Sequence, residues 1–170
     1  MCPRVHLPNT AATGKRGNPY PVLSSSIEMT PRRRTFTVTA HTADIAVEVY
    51  GHDIRELFIN AAHALNAITF DSSAFDGDTL REVRLDSVDD DTLLVDWLNE
   101  LIYVIDAEQI VFGEFRALQH QSGTAEILCR GETLEPARHK QTREVKAATY
   151  YGAHIARDAQ GYTARIVFDV

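Results

Sequence analysis

Apolar residues recur along this chain at two spacings, and the order of these spacings is the strongest constraint on its fold. In the first region every second residue is apolar, as in a half-buried strand. The two runs with this spacing are Phe36, Val38, Ala40 and then Ile45, Val47, Val49. The segment 41–44 separates the two runs, and Gly51 ends the second. Two strands are therefore expected between residues 36 and 51.

Two later segments have the spacing of an amphipathic helix. Asp53, with Glu56 three residues later, has the arrangement of a capping box. The apolar face that follows, ending near Thr69, is Ile54, Leu57, Phe58, Ala61, Ala62 and Leu65. Asp89–Asp91 precede a second helix, where negative charge favours the positive end of the helix dipole. Its predicted buried stripe is Leu94, Leu98, Leu101, Ile102 and Ile105, with Trp97 beside it.

The remaining apolar residues predict strands. Val83 and Leu85 mark a third strand after a polar loop at 71–78, and segments 110–119 and 124–130 predict a hairpin. The last alternating runs are Val145, Ala147, Thr149, Tyr151 and Tyr162, Ala164, Ile166, Phe168, with turns at 135–138 and 158–161. Two helices among about seven strands, most of them sequence neighbours, predict an α+β fold. We expect a mainly antiparallel sheet with two helices packed on one face.

Charge divides the chain near residue 34. Residues 1–34 are rich in Pro, Ser, Thr and Asn, and we expect a disordered tail before a folded domain at 35–170. Met29 is a second candidate start. The tail has six basic residues and one acidic residue, a balance of +5, so the net charge of −7 leaves −12 on residues 35–170. A body this acidic repels phosphate backbones, so a protein partner is expected rather than direct binding of nucleic acid. Solubility alone would also explain the charge.

Composition and missing motifs narrow the class of protein. No apolar run approaches the ~20 residues that span a bilayer, so no membrane association is expected. The two cysteines, Cys2 and Cys129, do not suggest a disulfide framework, which fits the reducing cytoplasm. The sequence contains no glycine-rich phosphate loop, GxGxxG, GxSxG, HExxH or paired CxxC motif. These absences weigh against an ordinary enzyme.

Two aspartates stand at strand ends that an antiparallel sheet would bring together. Asp44 precedes the second strand, and Asp169 ends the last one. If these strands are antiparallel neighbours, both carboxylates lie at one edge of the sheet. Val170, expected as the last residue, would add a carbonyl oxygen and a free carboxylate. Such hard oxygens suit Ca²⁺, Mg²⁺ or Mn²⁺ rather than zinc. Alternatively, Asp44 bonds its own backbone in a turn and Asp169 is a solvated strand end, and the residues alone favour this reading.

Lys146 and His41 are further candidates. Lys146 has apolar neighbours and could contact a phosphate or a partner carboxylate, or simply face solvent. His41 could be a ligand, a proton carrier or a locally bonded turn histidine. Tyr150 and Tyr151 fit a core or an interface equally well.

Four segments together resemble the archease family. They are His41–Ile45 (HTADI), Leu94–Leu101 (LVDWLNEL), Glu144–Ala147 (EVKA) followed by Thr149–Tyr150, and Phe168–Val170, in the order of that family. The resemblance spans residues 36–170 and leaves the tail outside. It implies a strand–helix–strand–strand module elaborated into one α+β domain.

The resemblance also implies a function. Archeases are non-enzymatic accessory proteins that activate RtcB-type RNA ligases, promoting guanylylation and multiple turnover in tRNA splicing and RNA repair. It implies Asp44, Asp169 and Val170 as ligands of a divalent metal and a functional position for Lys146, whereas His41 belongs to the motif without being assigned as a ligand. A general chaperone or modulator of RNA-processing enzymes and a metal-dependent phosphohydrolase remain alternatives. A C-terminal tag is expected to weaken function more than an N-terminal tag.

Overall fold

The computed structural model describes residues 35–40, 44–71, 75 and 77–170, all within one compact unit. The predicted tail 1–34 and the candidate residue His41 lie outside the described residues. The elements, in chain order, are β1 (Phe36–Ala40), β2 (Asp44–Gly51), α1 (Ile54–Thr69), β3 (Thr79–Asp86), α2 (Asp90–Tyr103), β4 (Ile110–Gln121), β5 (Thr124–Thr133), β6 (Ala147–Asp158) and β7 (Gly161–Asp169).

The seven strands found among the described residues form two antiparallel sheets. The first sheet has the order β1-β2-β7-β6 and the second β3-β5-β4. The predicted α+β class with antiparallel pairing is confirmed, but the expectation of one sheet is corrected to two. The first sheet ends at β6 because side chains of α2 bond to the backbone on its outer edge, at Ala148 and Ile155. The chain builds the second sheet before it returns to complete the first.

Both helices begin where the sequence predicts. The Asp53 carboxylate accepts a hydrogen bond from the Glu56 backbone N–H at 2.9 Å. The Glu56 carboxylate accepts from the backbone N–H of His52 at 2.7 Å, one residue before the cap. Asp89 caps α2 by accepting from the Thr92 N–H at 2.7 Å. These side chains satisfy amide groups that have no partner inside the first helical turn.

The predicted buried stripe of α2 is too narrow. Leu93 and Val95 are fully buried as well, because α2 packs against α1 and against strands of both sheets, and Trp97, predicted beside the stripe, is also fully buried. The helix continues into a π-helical turn at Val104–Glu108, which contains the predicted stripe residue Ile105. Among the described residues, every helix is too short or too polar to traverse a lipid bilayer.

One core joins the two sheets and the two helices. Two buried side-chain hydrogen bonds fix its geometry. The Asn66 amide of α1 donates to the carbonyl oxygen of Phe112 in β4 at 2.7 Å, and the Trp97 indole of α2 donates to the carbonyl of Phe58 in α1 at 3.1 Å. Because buried polar groups are costly without partners, these bonds set the relative positions of the elements.

The predicted alternation through Val145, Ala147, Thr149 and Tyr151 is wrong. β6 begins only at Ala147, Ala148 is the residue that enters the core, and Tyr151 is 86% exposed. Val145 and Ala148, three residues apart, are both buried, so the two-residue period fails before the strand begins, and a bulge after Thr149 breaks it again ahead of Tyr151.

The structure contains the predicted hairpin and adds detail to it and to the predicted polar loop. Strands β4 and β5 form the predicted hairpin and extend to Gln121 and Thr133, with Gly123 at φ +77° in the turn. In the segment predicted as a polar loop, Phe75 is buried with its ring 5.6 Å from that of Phe70. Cys129 is a buried free thiol, and burial raises its pKa to about 12.

Candidate functional site

Asp44 and Asp169 are paired across neighbouring strands. In the antiparallel register of β2 and β7, Asp44 stands opposite Asp169. The next pair, Ile45 and Phe168, is fully buried, whereas both aspartates are exposed. Because side chains alternate between the faces of a strand, the two carboxylates lie on the outer face at one end of the sheet. Paired residues have Cβ atoms about 5 Å apart, within the span of one bound cation.

Lys146, the residue before β6, and Val170, the residue after β7, lie at the same end. The backbone N–H of Lys146 donates to the carbonyl oxygen of Asp169 at 2.8 Å. Its ammonium group donates to the carbonyl oxygen of Val170 at 3.2 Å. Asp44, Asp169, Val170 and Lys146 thus meet at one place, which we call the charged end. His41, the fifth candidate, lies outside the described residues.

The donor chemistry of the charged end fits a hard divalent ion. It offers two carboxylates and a main-chain carbonyl, which are ligands of Mg²⁺, Ca²⁺ or Mn²⁺. Within the described ranges, no three His, Cys, Asp or Glu side chains are placed to hold a metal. Water would therefore complete the shell, as is common for Mg²⁺ bound by one or two carboxylates. The Lys146 ammonium already contacts one oxygen of the set, so an incoming ion would meet a resident positive charge.

Sequence reasoning missed a second polar constellation, which joins α2 to β6. The Asn99 amide donates to the carbonyl oxygen of Ala148 at 3.1 Å, and its oxygen accepts from the Ala148 N–H at 2.8 Å. The Asp96 carboxylate accepts from the Tyr150 hydroxyl, and this bond raises the pKa of Tyr150. The available signal was that Asp96 and Asn99 interrupt an apolar helix, where buried polar groups require partners.

A cavity of about 370 Å³ lies at the opposite end of the first sheet. Tyr50, Tyr162 and Asp158 are among its lining residues. None of the candidate residues that the structure describes lines it: Gly51 pairs with Tyr162 at that end of the strands, whereas Asp44 pairs with Asp169 at the other. The chemistry of the charged end therefore does not depend on this cavity.

Comparison with known proteins places these motifs in a family. Residues 36–170 match the family model described as "Archease protein family (MTH1598/TM1083)". A protein archease of Methanosarcina acetivorans is 36% identical over 146 residues, which cover 84% of this chain and 100% of the relative. The solution structure of Methanobacterium thermoautotrophicum protein 1598 is similar with a TM-score of 0.68 and 32% identity, covering 80% of this chain and 99% of that one.

A crystal structure from Thermotoga maritima shares the fold at lower identity. Its TM-score is 0.56 with 20% identity, covering 84% of this chain and 100% of that one, and its description is an archease and possible chaperone.

Proposed function

The chain belongs to the archease family, and from this premise we propose that it is a non-enzymatic accessory protein that activates an RtcB-type RNA ligase. It promotes guanylylation of the ligase and its multiple turnover in tRNA splicing and RNA repair. The observation that carries the proposal is the meeting of Asp44, Asp169, Val170 and Lys146 at the charged end. These residues offer oxygens and a cation, and none of them is an activated Ser, Cys or Thr nucleophile.

Each residue of the charged end has a part that follows from its position. Pairing of β2 with β7 holds the Asp44 and Asp169 carboxylates at a fixed spacing on an exposed face. The Lys146 ammonium orients the Val170 carbonyl and offsets nearby negative charge. On docking, Lys146 exchanges this carbonyl for a phosphate oxygen, a stronger partner for an ammonium group. When bound, a divalent ion supplies neutralisation of phosphate charge during nucleotidyl transfer.

The charge of the body supports a protein partner rather than RNA. The sequence total of −7 leaves −12 on residues 35–170, after the +5 of the preceding segment. A surface of this sign is repelled by a phosphate backbone and attracted to a basic protein surface. The docking surface on the ligase is therefore a basic region near its nucleotide site.

A broader chaperone role is the second candidate function. The exposed apolar side chains of Leu80, Val88 and Tyr151 favour it, because chaperones bind clients through exposed apolar surface. Binding of several unrelated RNA-processing enzymes, unaffected by EDTA or by changes at Asp169, would support that role.

The deciding experiment is a guanylylation assay with radiolabelled GTP and the cognate ligase. It compares the ligase alone with the ligase plus wild-type protein or its Asp44→Ala variant. A matched control is Glu48→Ala, which removes another exposed carboxylate from the outer face of β2. Wild type and Glu48→Ala should stimulate guanylylation, whereas the stimulation by Asp44→Ala should be at least about tenfold weaker.

Two results would overturn the proposal. One is no stimulation of a competent ligase by the wild-type protein. The other is full stimulation by a folded Asp44→Ala variant, which would remove the charged end from the mechanism. Metal-dependent turnover of nucleotides by the protein alone would instead indicate a phosphohydrolase.

A further inference from the structure

An unusually long bulge interrupts β6 where it borders β7. Thr149 pairs with Val167 and His154 pairs with Arg165, so the four residues 150–153 stand opposite the single residue Ile166. A common β-bulge inserts one extra residue, whereas this one inserts three. Residues 150–153 have no partner in the register of β7, and the strand residues on either side of them, 148–149 and 154–155, are the two feet of this segment. We call residues 150–153 the arch.

Side chains of α2 fix both feet of the arch. At the first foot, Asn99 bonds both the N–H and the carbonyl of Ala148. At the second foot, the Asp91 carboxylate accepts from the Ile155 N–H at 2.7 Å and contacts the His154 ring nitrogen at 3.0 Å. The arch is therefore anchored to a helix that belongs to the core.

A further bond holds the first tyrosine of the arch. The Asp96 carboxylate accepts from the hydroxyl of Tyr150 and also from that of Ser87, which precedes α2. This shared carboxylate brings Ser87, the residue before Val88 in the β3–α2 connection, close to the base of the arch. A surface that is already ordered loses little conformational entropy when a partner binds.

The crest of the arch exposes large apolar groups. Tyr151 is 86% exposed and Tyr150 58%, and neighbouring Val88 is 89% exposed. Gly152 has φ +69°, and an added Cβ there would meet no atom within 4 Å, so the crest is not packed from above. Burial in the core explains none of these side chains. Exposed tyrosines of this kind, one of them held by Asp96, are the residue type that often dominates the energy of protein interfaces.

The charge around the arch indicates what kind of surface it meets. Asp91 and Asp96 lie at its base, and the body carries a large negative balance. Tyrosine rings also attract Arg and Lys side chains over their faces. Within the first foot, Thr149 pairs with Val167, two residues before Asp169, so it lies roughly 7 Å along β7 from the charged end. One partner surface can contact both.

We propose that the arch is a docking surface for a basic protein surface, on which Tyr151 inserts between Arg or Lys side chains of the partner. This inference rests on the proposed function, because the partner is the ligase that the charged end serves. The arch supplies affinity and orientation, and the charged end supplies the chemistry.

The test measures binding of the full-length chain to the cognate ligase and to Mn²⁺, each by calorimetry. The variants are Tyr151→Ala in the arch and Tyr103→Ala as a matched control, since Tyr103 is 57% exposed at the end of α2. Tyr151→Ala should weaken ligase binding on the order of tenfold or more. Tyr103→Ala should stay within about twofold of wild type, and both variants should bind Mn²⁺ as wild type does.

A charge pair tests the nature of the partner. Tyr151→Lys should bind the ligase more weakly than Tyr151→Glu, since the partner surface is basic. The reverse order would show that the partner surface is not basic. Wild-type affinity in Tyr151→Ala would overturn the docking role of the arch and leave the proposed function, which the guanylylation assay tests, unaffected. Failure of the wild-type protein to bind or stimulate the ligase would overturn the proposed function and the arch with it. Loss of RNA binding without loss of ligase binding in Tyr151→Ala would also overturn the docking role.

Discussion

The outer edge of β6 and the charged end lie close together on the first sheet and are built in opposite ways. At the edge, Asp91, Asp96 and Asn99 of α2 each bond β6 through a side chain. At the charged end, Lys146 provides the cross-links, one through its N–H and one through its ammonium group. The polar groups at the edge thus stabilise the fold. The charged end keeps exposed carboxylates that can exchange partners at little cost in stability.

The largest expected effect is a loss of stability at the outer edge of β6. Asn99→Ala removes two hydrogen bonds and leaves a part-buried N–H and C=O of Ala148 without partners, which should lower the free energy of unfolding by about 2–3 kcal/mol. Urea unfolding followed by circular dichroism measures this loss. Asp44→Asn is the control at the charged end and should stay within about 0.5 kcal/mol. Equal losses in the two variants would erase the contrast between the regions.

The next effect concerns metal binding. Asp169→Asn keeps the shape of the side chain but removes a charge, so affinity for Mn²⁺ or Mg²⁺ should fall about tenfold or more. Isothermal calorimetry gives the affinity, and the urea midpoint should not move. An unchanged affinity would exclude Asp169 as a ligand.

A smaller effect is expected at Lys146, where a substitution should change metal affinity and ligase stimulation in opposite directions. The Lys146 ammonium lies 3.2 Å from the Val170 carbonyl oxygen, where it opposes an incoming cation. Lys146→Met should therefore bind the divalent ion about threefold more tightly, while ligase stimulation falls because the phosphate contact is gone. Calorimetry and the guanylylation assay separate the two consequences. Weaker ion binding in Lys146→Met would show that the lysine organises the site instead.

The smallest effect concerns Tyr150. Tyr150→Phe removes the hydroxyl that donates to Asp96 and should cost about 0.5–1 kcal/mol. The bond raises the pKa of Tyr150 in the folded state, so its contribution is present below the ordinary value of 10.0 and is lost as pH rises beyond it. Urea unfolding at pH 8 and pH 10.5 should show a smaller difference between wild type and variant at the higher pH. A difference that grows with pH would contradict this assignment.

The sequence predicted well the features that depend on local patterns. Period-two spacing located β2 and β7, and the aspartate caps located the starts of both helices. The sequence brought Asp44 and Asp169 together only on the condition that their strands are antiparallel neighbours, and the structure shows that they are. Their role as metal ligands stays a prediction.

Other features depend on contacts between distant elements, and the sequence indicates them only weakly. Val145 and Ala148 are both buried, so the two-residue period already fails before Thr149, and the three extra residues after Thr149 interrupt it again at Tyr151. Asp96 and Asn99 interrupt an apolar helix, but their partners on β6 lie 54 and 49 residues away, so the sequence did not identify them. The division of the strands between two sheets depends on the same long-range bonds.

The position of β7 inside the first sheet has a consequence for how the protein folds. β7 follows all the other described strands in the chain, yet it lies between β2 and β6 in the sheet. Asp44 and Asp169 are separated by 125 residues and meet only when this last strand is inserted. During synthesis on a ribosome, β2 and β6 must wait with unpaired edges until β7 emerges, which makes this step slow and exposed to aggregation. The candidate site therefore exists only in a fully folded molecule, so a truncated or half-folded chain cannot present it to a partner.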